Sequence, residues 1–378
     1  MRILYGVCGE GLGHATRSEV VLRHLLARGH VVLVAASGQA TPHLARAFAN
    51  DARARVLPIV GFAIRCADGA LNFAGTLQHN AQRLPRMIVE NRAAWEEALA
   101  FQPDAVVTDF DTFAWLVARS LGRPVLSMHN GHIMTRCLHE PSLLRDHASG
   151  VGVTGVLTEL LVGECDHYLV TSFFQPPIRP ECARTTTLVP PVLRPSALAR
   201  LTLTARAPEA HVLVYRTASL DDAAVVGALA ATPDTRFHVY GVSAGTPLPP
   251  NCVRRAPDPE RFLDDLAGAR AVLGNGGMSL LGEALSLGKP VLVVPVRNQF
   301  EQTLNGLYVE RLGYGDFRED LTQAALGAFL ERAPEHAVRV QARRPHDRNA
   351  QLYAALDALL PSSDSQAQRS ACAERSDT

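Results

Sequence analysis

Several large functional classes are excluded by what the sequence lacks. There is no excess of one charge: Lys+Arg and Asp+Glu each total 37 in 378 residues. No global basic field therefore argues for nucleic-acid binding, and any contact with anionic lipid would need a local patch. No apolar stretch approaches the roughly 18–20 residues that span a bilayer. The seven cysteines, Cys8, Cys66, Cys137, Cys165, Cys182, Cys252 and Cys372, are odd in number, scattered, and form no Cys-x-x-Cys pair. That argues against a disulfide framework or a zinc site and for free thiols in a reducing cytoplasm. The opening apolar run, residues 3–7, is too short for a signal-peptide core and is broken at once by Gly9, Gly11 and Gly13. What remains is an ordinary globular composition, 47% hydrophobic and 20% charged. At about 100–200 residues per domain, two domains are expected.

One pattern recurs. Residues 3–7 form a short apolar, β-branched run, followed by Gly9-Glu10-Gly11-Leu12-Gly13 and a segment with Val20, Val21, Leu22, Leu25 and Leu26 on one side. After Gly29, residues 31–36 read as the next buried strand. Residues 105–108, 112–121 and 125–127 repeat the scheme, as do 271–273, 280–287 and 291–296. Strand–helix–strand units with wholly apolar strands mean parallel sheets covered on both faces. The expected fold is thus α/β, with two Rossmann-like doubly wound domains facing across a cleft. The first spans residues 1–195 and the second 208–360, with the seam in the proline-punctuated stretch 190–208 and a disordered tail over 361–378. Open parallel sheets bind ligands beyond the carboxyl ends of their strands, so the cleft is the expected site.

The chemistry-bearing residues fall at those strand ends. Gly274-Asn275-Gly276-Gly277-Met278-Ser279 sits between a strand and a helix. Its glycines let backbone amides approach a ligand, the helix N-terminus offers unpaired N–H groups, and Ser279 adds a hydroxyl, a combination that suits a diphosphate. It also suits a plain tight turn. Glu283 follows one helical turn later, where a carboxylate can accept two ribose hydroxyls or simply be solvated. Arg297-Asn298-Gln299-Phe300-Glu301-Gln302 follows another strand and reads as a sugar-recognition loop. Upstream, Gly9-Glu10-Gly11-Leu12-Gly13-His14 fails the dinucleotide fingerprint, because His14 takes the third glycine's place. Gly11 and Gly13 instead deliver a histidine to the first turn of a helix, where it can act as a general base. Asp109 and Asp111 end a neighbouring strand. Asp109 comes first after the apolar run and is expected to fix the imidazole, whereas Asp111 fits a helix cap better. His129 and His132 invite a metal reading, but no third ligand is evident, and an acceptor-side or packing role is preferred; neither metal nor cofactor is expected.

These residues together resemble the GT-B glycosyltransferases, and are similar to the inverting macrolide and UDP-glucuronosyl type and the lipid-linked N-acetylglucosaminyltransferase of peptidoglycan synthesis, with a less characterised bacterial and archaeal branch nearer still. The resemblance rests on residues 9–17, 106–113, 275–295 and 297–306. It implies a nucleotide on the C-terminal domain and an acceptor on the N-terminal one. It further implies that Gly276, Gly277 and Ser279 hold the diphosphate, Glu283 the ribose, and Glu301-Gln302 the donor sugar. His14 and Asp109 become the catalytic pair. Asn275 replaces a histidine found in many relatives, and the tryptophan signature of plant enzymes is absent, since Trp95 and Trp115 both lie in the first half. Val291 occupies the place of the second glutamate of retaining enzymes, which favours inversion. The expected function is transfer of a sugar from a nucleotide diphosphate, with UDP the commonest case, to a small-molecule, glycan or lipid-linked hydroxyl. The alternatives are a non-hydrolysing sugar-nucleotide epimerase and a non-catalytic sugar-nucleotide-binding protein. The segment Leu84-Pro85-Arg86-Met87-Ile88-Val89 could make a peripheral membrane contact and equally fits one buried helix face.

Overall fold

The computed structural model describes residues 1–67, 70–144, 146–201, 211–216 and 222–361. The strands in chain order are β1 (Arg2–Val7), β2 (Val31–Ala36), β3 (Ala54–Pro58), β4 (Cys66–Ala67), β5 (Ala70–Leu71), β6 (Ala105–Asp109), β7 (Val125–Ser127), β8 (His167–Thr171) and β9 (Thr186–Val189). Then follow β10 (His211–Tyr215), β11 (Arg236–Tyr240), β12 (Cys252–Arg254), β13 (Ala271–Gly274), β14 (Val291–Val293) and β15 (Gly315–Phe317). A seven-stranded sheet has the order β3-β2-β1-β6-β7-β8-β9, and a six-stranded sheet has the order β12-β11-β10-β13-β14-β15. All pairings within both are parallel, while β4 and β5 form a small antiparallel hairpin.

The strand order reverses direction between β1 and β6 and again between β10 and β13. Each reversal opens a crevice, because the connections on its two sides run to opposite parts of the sheet. Val7 pairs with Asp109 at the first reversal, so the loop carrying His14 leaves the sheet beside the end of β6. At the second reversal, Tyr215 pairs with Gly274, where the glycine-rich turn begins.

Both faces of each sheet are covered, which is why strands such as β6 are buried along their whole length. One apolar cluster runs through both halves, joining Leu4, Val106 and Val170 to Val272, Leu281 and Val293. The other face of the first sheet is closed by Leu22 and Leu25 of the helix Leu12–Ala27 and by Leu352, Leu356 and Leu360. The last helix, Ala350–Leu359, thus packs on the first sheet, not the second. Asn349 fixes the crossing: its Nδ2 donates to the Leu193 carbonyl at 2.7 Å and its Oδ1 accepts from the Leu193 amide at 2.9 Å.

Part of the proline-rich seam forms a helix, Pro195–Arg200, and residues 202–210 lie outside those described, as does the tail from 362. The segment 84–89 belongs to the helix Phe73–Glu90, and the expectation of a buried apolar face is not met. Leu84, Ile88 and Val89 are 54%, 66% and 74% exposed. The helix turns a polar side inward: Asn80 exchanges hydrogen bonds with both the amide (2.9 Å) and the carbonyl (2.7 Å) of Ala63. No helix among the described residues is long and apolar enough to cross a membrane.

Candidate active site

The site begins with how two carboxylates two residues apart come to do different work. In a continued strand, Asp109 and Asp111 would point to the same side. Phe110 stands between them with φ of 56°, a left-handed conformation costly for a bulky residue. The chain turns there. Asp111 then caps the helix Thr112–Leu121, accepting from the Ala114 amide at 2.8 Å. Asp109 stays at the strand end, fully buried, within reach of the helix Leu12–Ala27.

Three side chains of that helix converge on it. His14 Nδ1 lies 2.8 Å from Asp109 Oδ1. The Arg17 guanidinium donates to both carboxylate oxygens, through Nε to Oδ2 at 3.1 Å and through Nη2 to Oδ1. The Ser18 hydroxyl donates to Oδ2 at 3.0 Å. Positions 14, 17 and 18 share one face because their spacing is close to one helical turn. Burial works against the charge of Asp109, yet Arg17 and His14 hold its carboxyl well below the usual carboxylate range. With the carboxylate ionised, the fitting tautomer of His14 donates its Nδ1–H to Oδ1 and leaves the Nε2 lone pair available. Among the described residues nothing hydrogen-bonds to Nε2, and the side chain is 19% exposed. Cys8, the nearby thiol, is no rival nucleophile: burial pushes it up to about 12.

The loop after β7 supplies the next layer. His129 stacks on Phe110 with ring centroids 4.4 Å apart, and its plane lies within 13° of that of His14, 5.7 Å away. Burial, with His14, His132 and Arg17 nearby, drives His129 well below its usual range and keeps it neutral. His132 faces inward, with Nε2 2.8 Å from the Ser127 hydroxyl and Nδ1 3.3 Å from Glu159. The two histidines thus have separate partners and share no ligand geometry. Among the described residues, the one group with metal-ligand spacing is His211 and His238 of the second sheet with Asp265 of the helix Pro259–Gly268. There the Arg255 guanidinium reaches Asp265 at 2.8 Å and His238 at 3.0 Å, so the carboxylate already has a cationic partner.

From the second sheet, the turn after β13 leads into the helix Met278–Ser286. Gly276 has φ of 87°, and a Cβ there would meet Val293 Cγ1 at 2.7 Å, so this position tolerates no side chain. Asn305 clamps it by donating to the Gly276 carbonyl at 2.9 Å, and the buried Asn275 donates to the Val294 carbonyl at 3.0 Å. Asn275 therefore braces the turn. Ser279 reaches across the cleft, donating to the Gly13 carbonyl at 3.4 Å. Glu283 is buried, and both its oxygens accept from Arg194, at 2.6 and 3.0 Å. In the downstream loop, Gln299 caps its own helix through the Glu301 amide at 3.2 Å, and Gln302 accepts from the Val296 amide at 2.9 Å. Asn298, with φ of 63°, donates to the Leu71 carbonyl of the β4–β5 hairpin at 3.4 Å. Glu301 also reaches the first half, where Asn130 donates to it at 2.6 Å.

His14, Asp109, Gly13, Ser279 and Glu301 are therefore brought into one neighbourhood. Gln299, Gln302 and Asn275 are turned to internal bracing. Arg17, Ser18, Asn130 and Arg194 were not singled out from the sequence. The first two had a signal, three and four residues after His14 on one helix face. Asn130 was overshadowed by the histidines on either side of it, and Arg194 sat unremarked among prolines.

Comparison with known proteins places the chain. The family model for glycosyl transferase family 1 matches residues 1–334, and the chain belongs to that family. It is 25% identical over 358 residues to an uncharacterized glycosyltransferase of Methanosarcina acetivorans, covering 83% of this chain and 85% of that protein. The fold is similar to that of the calicheamicin glycosyltransferase CalG4, with a TM-score of 0.59, 20% identity, and coverage of 95% of this chain and 99% of that one. It is similar also to the glycosyltransferase VinC in complex with dTDP, with a TM-score of 0.60, 17% identity, and coverage of 91% and 94%. Two parallel sheets with flanking helices, shared with these proteins, make this a GT-B glycosyltransferase fold.

Proposed function

We propose that this glycosyltransferase moves a sugar from a nucleoside-diphosphate donor, UDP-linked in the first instance, onto an acceptor hydroxyl with inversion. The acceptor lies on the half formed by residues 1–195 and the donor on the half from 208 onward. His14 takes the acceptor proton at Nε2, and Asp109 holds the opposite Nδ1–H and stabilises the imidazolium that forms. The acceptor oxygen attacks the anomeric carbon as the bond to the diphosphate breaks. Charge developing on the diphosphate meets the amides at the start of the helix Met278–Ser286 and the Ser279 hydroxyl. Glu283 accepts from the ribose, and Glu301 reads hydroxyls of the donor sugar.

The observation that carries this reading is the meeting of the two half-sites: the residue before His14 touches Ser279 of the glycine-rich turn. Base and leaving-group sites must be about that close for one displacement to use both. The test is a thermal-shift panel of UDP, GDP, dTDP, ADP and NAD on wild type and Glu283→Ala. Stabilisation by UDP or another single nucleoside diphosphate, lost in the variant, supports the donor site and names the base. An equal response from both proteins, or none to any diphosphate, overturns it. Inversion is read from the anomeric configuration of the product by NMR; retention would remove the single-displacement mechanism.

A further inference from the structure

A buried amide links the two halves of the site. Asn130 is 3% exposed and follows β7. Its Oδ1 accepts from Arg17 Nη1 at 3.3 Å, and its Nδ2 donates to Glu301 Oε1 at 2.6 Å. Arg17 is the residue that grips Asp109, and Nη2 of the same guanidinium lies 3.1 Å from His14 Nδ1. A continuous chain thus runs from Glu301 on the second half through Asn130 and Arg17 to Asp109 and His14 on the first. His129 flanks it, with Nε2 3.8 Å from the other Glu301 oxygen. Gly131 leaves room for the turn: a Cβ there would lie 2.5 Å from the His129 ring and 3.5 Å from Glu301 Oε2.

The chemistry of the junction selects the residue. One side faces a guanidinium, which can only donate, and the other a carboxylate, which can only accept. A carboxamide presents one acceptor and one donor, so it satisfies both; a carboxylate would repel Glu301, and an apolar side chain would leave both charges short of a partner.

We propose that Asn130 is a positioning residue that aligns the His14–Asp109–Arg17 cluster with Glu301, so that the base is set only when the donor-side carboxylate is in register with it. Asn130 touches neither reacting atom; it acts through Arg17 on one side and Glu301 on the other. The proposal rests on the reading of Glu301 as the donor-sugar residue. It assigns the interlobe contact a role in turnover as well as in closure.

The experiment is a polarity swap. kcat and donor KM are measured for wild type, Asn130→Asp, Glu301→Gln and the double variant, with melting temperatures alongside. Asn130→Asp alone is expected to lower kcat/KM by about tenfold or more. In the double variant the direction of the bond is reversed, with the carboxamide introduced at position 301 donating to the carboxylate introduced at position 130. Its kcat/KM is expected to exceed the product of the two single losses by about tenfold. Losses that simply multiply, or an Asn130→Asp protein with wild-type kcat/KM, overturn the proposal. Should Asn130→Asp fail to fold, Asn130→Ser removes both bonds without adding charge. It is then expected to lower kcat and raise donor KM while acceptor KM holds, and unchanged donor parameters would overturn the role. A wild-type protein that transfers no sugar overturns the underlying reading instead, so the two failures are told apart.

Discussion

Ser279 and Gly13 lie 266 positions apart and touch, the serine hydroxyl donating to the glycine carbonyl at 3.4 Å. This contact joins the first turn of the helix Leu12–Ala27 to that of the helix Met278–Ser286. Two helix N-termini, each opening at a point where its sheet reverses order, therefore confront each other. Their unpaired amides and positive dipole ends favour an anion between or beside them. A histidine on one terminus and a hydroxyl on the other add proton transfer to anion binding.

On the proposed mechanism, His14→Ala removes the base and leaves the donor turn intact. Turnover is expected to fall by about 10²–10⁴-fold, while the thermal shift produced by nucleoside diphosphate stays at its wild-type size. Full activity in the variant would rule out His14 as the base.

Arg17→Met tests the ion pair beneath that base. Removing one partner of a buried pair costs about 3–5 kcal/mol, because Asp109 is then buried without a cation. Asp109 in the wild type has a depressed pKa, so its stabilising contribution is present above the unfolded value near ~3.9 and is lost as pH falls through the folded one. Without Arg17, burial dominates and the carboxyl rises. The melting temperature of the variant should trail wild type most at neutral pH and least near pH 4. A gap that does not change with pH would show that the guanidinium serves packing alone.

Arg194→Ala frees the carboxylate of Glu283, which both guanidinium bonds now orient. Bidentate pairs fix geometry as well as charge. The variant is expected to bind nucleoside diphosphate about tenfold or more weakly, with Glu283→Ala at least as weak and the double variant no worse than Glu283→Ala. Calorimetric titration measures all three, and additive losses would separate Arg194 from the donor site.

Much of this arrangement could be read from the chain in advance. Wholly apolar runs such as residues 32–36 and 105–107 dictate two-sided burial, and hence parallel sheets. His14 and Asp109 were findable because each ends or follows such a run, and β1 and β6 are neighbours in the sheet. What was not legible depends on pairs far apart in sequence. The Arg194–Glu283 and Asn130–Glu301 bonds span 89 and 171 positions, and no local pattern announces either. Gln299 and Gln302 are ambiguous for the opposite reason: a polar cluster at a strand end looks the same whether it reads a sugar or satisfies its own loop, and each of the two bonds a loop amide.

Asp111 carries a pH signature distinct from that of Asp109. Burial, reinforced by the neighbouring Asp109 charge, pushes its carboxyl up to about 7, although the Ala114 amide pulls the other way. Between about pH 4 and pH 7 the folded chain then holds a proton that the unfolded chain has lost, so stability falls as pH rises. Asp111→Asn keeps a capping oxygen and has no charge to bury. The variant should melt a few degrees above wild type at pH 8, with the difference closing toward pH 4. Parallel melting curves across this range would contradict the assignment.

The return of the helix Ala350–Leu359 to the first sheet bears on the order of events at the ribosome. The strands of that sheet are all synthesised by Val189, yet Leu352, Leu356 and Leu360, which complete the cover of one of its faces, follow every strand of the second sheet. At ~5–20 residues per second, the stretch between takes on the order of ten seconds or more. Throughout that interval Leu22 and Leu25 of the helix Leu12–Ala27 cover only part of that apolar face, the remainder is a natural target for chaperones, and the first sheet is locked only after the second has been made.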